Sequence, residues 1–79
     1  MLVRFFAGAA EAADRSSQQV DAAGLDAAAL VRVLSDGNEH LARVMAASAL
    51  LADGVRVPSG DTDLSEVAQL DVLPPFAGG

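Results

Sequence analysis

One mixed β-sheet packed on a single main helix, an α+β arrangement, is the fold class this sequence predicts. Three observations predict it. Residues 2–6 form a β-branched and aromatic run, residues 26–36 carry an apolar stripe at helical spacing, and residues 69–73 alternate before two prolines. Strand-forming runs on either side of one strong helical stripe imply a sheet with its helix on one face. At 79 residues, one domain is expected. A domain of this size works near the lower limit for folding without staples, which leaves little room for an enclosed active site.

The elements follow in order. Leu2-Val3-Arg4-Phe5-Phe6 suits a strand, and alternation sets Val3 and Phe5 on one face and Leu2, Arg4 and Phe6 on the other. Residues 7–16 are small and charged and read as a loop or loose turn. Ser17 to Asp21 is a polar strand suited to a sheet edge. Asp26 caps a helix on which Ala27, Leu30, Val31 and Leu34 fall at i, i+3, i+4 and i+7. Asp36-Gly37 stops it, with Gly37 suited to the left-handed position after the last turn. Asn38 then caps a second, shorter helix with Leu41, Val44 and Met45 on one side, and His40 is a solvated residue on its first turn. Ser48–Ala52 and Val55–Val57 flank Asp53-Gly54, a hairpin signal because a type I′ turn needs two residues with positive φ. Pro58 to Asp61 breaks the second run, and Thr62 to Glu66 reads as one helical turn.

Gln69 to Leu73 is the last strand, with Leu70 and Val72 on one face and Asp71 and Leu73 on the other. Pro74-Pro75 ends it, since neither residue can donate to a ladder. With the first and last strands side by side and parallel in the middle, the order matches a β-grasp, or ubiquitin-like, fold. The expected organisation is a β-grasp domain over residues 1–73 and a flexible Gly-Gly tail over 74–79.

Composition removes several function classes. The chain is 52% hydrophobic, which argues against disorder, and its net charge of −6 argues against neutralising nucleic-acid phosphates. It contains no cysteine and one histidine, so thiolate chemistry and any two-histidine zinc site are excluded and no metal site is expected. No nucleophile with a base and no glycine-rich phosphate loop is present, so an enzyme acting alone is not expected. No run approaches the ~18 apolar residues of a membrane span, and with no export signal the expected compartment is the cytoplasm. All five basic residues are arginines; a GC-rich coding bias accounts for the missing lysine, and the alternative is that a reactive acyl end is safer without nearby amines. The acidic balance suits docking on basic partner surfaces.

The chemistry resides in Leu73-Pro74-Pro75-Phe76-Ala77-Gly78-Gly79. Residues 74–79 reach about 20 Å when extended. Gly78 and Gly79 lack a β-carbon and can pass a channel too narrow for other residues, and the prolines reduce the entropy lost when the tail is held. The α-carboxylate of Gly79 is anionic at neutral pH and a poor electrophile. An acyl-adenylate made from ATP would activate it, because AMP is a good leaving group, and a sulfur nucleophile would then yield a thiocarboxylate.

Val3-Arg4-Phe5-Phe6-Ala7, Leu51-Ala52-Asp53-Gly54-Val55 and the segment from Asp71 to Gly79 together resemble the small subunits of molybdopterin synthase, within the ubiquitin-like sulfur carriers of the MoaD/ThiS family. The terminal segment is the specific part. The resemblance implies a non-catalytic carrier subunit of a sulfurtransferase complex that binds no cofactor. A ubiquitin-activating-like adenylyltransferase uses ATP on its terminal glycine. The tail then enters the molybdopterin synthase large subunit and donates sulfur to cyclic pyranopterin monophosphate in molybdenum cofactor biosynthesis. Carried over by position, Gly79 is the acyl and sulfur carrier and Gly78 its threading neighbour. Phe6 and Leu73 resemble apolar docking positions, and Pro74, Pro75, Phe76 and Ala77 complete the partner-binding stretch. Thr62 to Gln69 departs from the family by lacking its Asp-Gly turn, and residues 14–20 are unusually polar. Carriers for the thiamine thiazole, for cysteine or for secondary metabolites share the Gly-Gly chemistry, and a ubiquitin-like protein modifier uses the same tail.

Overall fold

The computed structural model describes residues 1–75. Its elements run β1 (Leu2–Phe5), α1 (Gly8–Ala13), β2 (Ser17–Gln19), α2 (Ala27–Leu34), α3 (Glu39–Ala47), β3 (Ala49–Ala52), β4 (Val55–Arg56) and β5 (Gln69–Leu73). The five strands form one sheet in the order β2-β1-β5-β3-β4. β1 and β5 pair in parallel, with Arg4 opposite Asp71 and Phe5 opposite Val72, while every other pairing is antiparallel. This is the expected β-grasp sheet, with the polar β2 at one edge.

Alternation along β1 and β5 sends Val3, Phe5, Leu70 and Val72 inward, where all are buried. They meet Leu30 and Leu34 of α2, Leu41 and Met45 of α3, Ala9 and Ala13 of α1, and Leu64 in one core. The helix caps follow their sequence signals. The Asp26 carboxylate accepts from the Ala29 amide at 2.8 Å, and the Asn38 side chain accepts from the Leu41 amide at 3.0 Å. Asn38 also donates to the Ala12 carbonyl at 2.9 Å, bracing α3 against α1. Gly37 takes φ 72° after α2. The hairpin turn has φ 48° at Asp53 and 84° at Gly54, both positive as a type I′ turn demands. The Asp53 carboxylate reaches across to accept from the Ala68 and Gln69 amides, tying that turn to the start of β5.

Three expectations are corrected. Residues 7–16 are not a loop, because Gly8 to Ala13 is helical. The stripe that α1 buries is Ala9 and Ala13, four apart, and alanine is the best helix former while giving a weak hydrophobic signal. Asp14 closes it in the left-handed region, and the Arg15 amide returns to the Ala10 carbonyl. Second, α3 is longer than α2, with nine residues against eight. It continues to Ser48, whose amide and hydroxyl close on Met45 and Val44. Third, within Thr62 to Glu66 the stretch Thr62 to Leu64 is extended, and the only turn there is a single one after it, where the Val67 amide returns to the Leu64 carbonyl. Asp63 bridges Asp26 in extended geometry, and its carboxylate is taken by the Ser65 amide and hydroxyl. Leu64 beside it is a buried anchor whose amide bonds to the Leu25 carbonyl.

Candidate functional site

β5 lies at the centre of the sheet and delivers the chain outward through Leu73, Pro74 and Pro75. Leu73 and Pro74 are half-buried and Pro75 is exposed. Phe76, Ala77, Gly78 and Gly79 lie outside the described residues. The root of the tail is therefore fixed by five residues of ladder, and its direction is set by two residues that cannot extend that ladder.

Two surfaces meet at this root. The first is the face of the sheet that the helices leave open. Phe6 is 37% exposed there, and its amide donates to the Val72 carbonyl at 3.2 Å. Continuing the β1–β5 register by one residue sets Phe6 level with Leu73, so the two residues chosen by alternation share one surface. Ala49 and Leu51 of β3 pair with Leu73 and Asp71 and extend it, both half-buried. The Arg4 guanidinium crosses from β1 to Asp71 through two hydrogen bonds, Nε to Oδ1 at 2.8 Å and Nη2 to Oδ2 at 2.9 Å. It also stands 5.2 Å from the centroid of the Phe6 ring, within cation–π range. The hydrogen bonds from Arg4 hold the Asp71 carboxyl below its ordinary value, and the same bonds raise Arg4.

The second surface is a groove of about 470 Å³ between α1, α3 and the tail root, lined by Gly8, His40, Arg43, Val44, Ala47 and Pro74 among others. His40 and Arg43, both exposed, put an imidazole and a guanidinium on its rim. Its outline was not legible in the sequence, because it depends on α1 packing on α3. Arg4 and Asp71 were also passed over as a pair. Their signal was present: opposite charges on the same faces as Phe6 and Leu73.

Among the described residues, no three His, Cys, Asp or Glu side chains converge as a metal site would require. No helix among them is long and apolar enough to cross a membrane. Among the described residues, the last strand ends at Leu73, Pro74 and Pro75 beside the half-exposed Phe6 and Leu73 surface.

Comparison with solved structures finds the same fold. SAMP1 from Haloferax volcanii superposes with a TM-score of 0.79 at 22% identity, covering 99% of this chain and 97% of that one. The Haloferax volcanii HVO 2177 protein superposes with a TM-score of 0.71 at 24% identity, covering 99% of this chain and 84% of that one. No curated protein matches the sequence significantly. The ThiS family model matches residues 3–79, from the first strand through the terminal Gly78-Gly79, and the chain belongs to this family of ubiquitin-like sulfur carriers.

Proposed function

We propose that the protein is the small, sulfur-carrying subunit of a molybdopterin synthase. Its Gly79 carboxylate attacks the α-phosphate of ATP on a ubiquitin-activating-like adenylyltransferase and displaces pyrophosphate. Hydrosulfide then attacks the acyl carbon and AMP leaves, giving the thiocarboxylate directly; a persulfide donor gives an acyl disulfide instead, which a second thiol of the donor cleaves to the thiocarboxylate while forming a disulfide with the donor sulfur. In the large synthase subunit that sulfur passes to cyclic pyranopterin monophosphate. The carrier itself supplies no proton donor or metal. Its contribution is a side-chain-free end on a stiff Pro-Pro stem and a surface that holds the partner while the end reacts. Phe6 and Leu73 are the docking contacts of that surface, and residues 74–77 are the stretch the partner grips.

The observation that carries this reading is the family match running through Gly79, together with a central strand that points the chain outward at Pro74-Pro75. The adenylation and sulfur-loading steps are tested by intact mass. After incubation with the adenylyltransferase, ATP and a sulfur source, the chain gains the difference between one sulfur and one oxygen. A chain lacking Gly78 and Gly79 gains nothing while unfolding at the same temperature. No gain in the full chain, with enzyme active on a control carrier, rejects the carrier role. Adding the large subunit and cyclic pyranopterin monophosphate then tests the acceptor, because retention of the thiocarboxylate assigns the carrier to another sulfur pathway. Isopeptide adducts on lysines of other proteins would instead mark a modifier.

A further inference from the structure

Charge is unevenly distributed over this molecule. Of its 11 acidic residues only Asp71 lies on a strand, and Asp71 is the one that Arg4 neutralises through two hydrogen bonds. The rest lie on helices, caps, turns and loops. The open face of the sheet is therefore excluded from the general acidity, and Arg56, exposed and paired in register with Leu51, adds a cation to it.

The pair does more than cancel charge. An exposed arginine side chain is free to sample many rotamers, and ordering it has an entropic cost. The two-pronged bond to Asp71 fixes the plane of the guanidinium, and that fixed cation stands against the Phe6 ring. Phe6 follows the last residue of β1, where the ladder no longer holds the backbone on both sides. Its ring needs a neighbour to keep one orientation, and Arg4 provides it.

We propose that Asp71 and Arg4 are positioning residues for docking: Asp71 orients Arg4, and Arg4 orients the Phe6 ring that meets the partner. The choice of an activating enzyme as that partner rests on the carrier reading, whereas the ring orientation does not.

The test combines NMR of the Phe6 ring protons with ATP–pyrophosphate exchange by a purified ubiquitin-activating-like adenylyltransferase, the carrier being the varied substrate. In Asp71→Asn the ring shifts move toward those of a free phenylalanine. The KM for the carrier rises roughly two- to five-fold, the weight of one exposed cation–π contact, with kcat unchanged. The exchanged pair Arg4→Asp/Asp71→Arg restores neutrality and the cross-strand bond but anchors the guanidinium on β5. Its melting temperature recovers, while its ring shifts and KM remain those of Asp71→Asn. A KM that recovers in the exchanged pair overturns the positioning role, as do ring shifts unaltered in Asp71→Asn. If the wild type supports no exchange at all, the carrier reading falls, and the ring shifts still decide whether Asp71 and Arg4 position Phe6.

Discussion

The two faces of β1 and β5 are built from alternate residues of the same short strands, yet they answer to different constraints. Inward, Val3, Phe5, Leu70 and Val72 are buried against three helices, so their size and shape are fixed by packing. Outward, Leu2, Arg4, Asp71 and Leu73, with Phe6 just past the end of β1, stay partly or fully open to solvent. A single step along the chain exchanges one constraint for the other. Packing and solvent exposure are therefore separated here at the level of neighbouring residues. The parallel register keeps them separate, because a one-residue slip of either strand would send its own charge, Arg4 or Asp71, into the core.

The strongest way to break this comparison is from the inner face. Leu70 is 0% exposed at the centre of the sheet, and Leu70→Ala should cost ~2–5 kcal/mol in a urea titration. A domain of this size has a total stability of only about 4–12 kcal/mol, so the variant should be partly unfolded at physiological temperature. A loss below ~1 kcal/mol would mean that the inner face is not packed as described.

The outer face sharpens it. Phe6→Ala should shift the same titration by only about 0.5 kcal/mol, while raising the KM of the carrier in the exchange reaction more than Asp71→Asn does. If Phe6→Ala destabilises the fold as much as Leu70→Ala, the two faces are not separable.

The smallest effect is a pH dependence. The Asp71 carboxyl lies below its ordinary value in the folded state because Arg4 donates to it. Its contribution is thus fully present above the unfolded value of about 3.9 and is lost as pH falls through the folded value. The stability gap between wild type and Asp71→Asn should be constant near neutrality and close on acidification. Asp63 is lowered as well, by the Ser65 hydroxyl, and it titrates equally in both proteins. A gap that widens in acid would contradict the assigned direction.

Much of the fold was legible because its signals are local. Asp26 and Asn38 bond to amides three residues ahead, and Asp53-Gly54 sets its own turn, so those boundaries could be read from adjacent letters. α1 was missed because alanine buries its stripe, and a small apolar side chain gives no contrast with a polar neighbour. Thr62 to Glu66 was misread because the Leu64 anchor and the Asp63–Asp26 bridge depend on contacts with α2 and its entry loop. In the candidate site, Phe6 and Leu73 followed from alternation. The bond between Arg4 and Asp71 joins residues 67 positions apart and becomes visible only when β1 and β5 lie side by side.

The sequence by itself therefore determined the five strands and their two faces, the two larger helices with their caps, and the Asp53-Gly54 turn. Those features come from backbone preferences and periodicities that span a few residues. Tertiary structure alone decided which charges meet, how the Phe6 ring is held, and that α1, α3 and the prolines enclose a groove where the chain leaves the sheet. These depend on distances between remote segments, and such distances are set only when burial of a shared core brings the segments together.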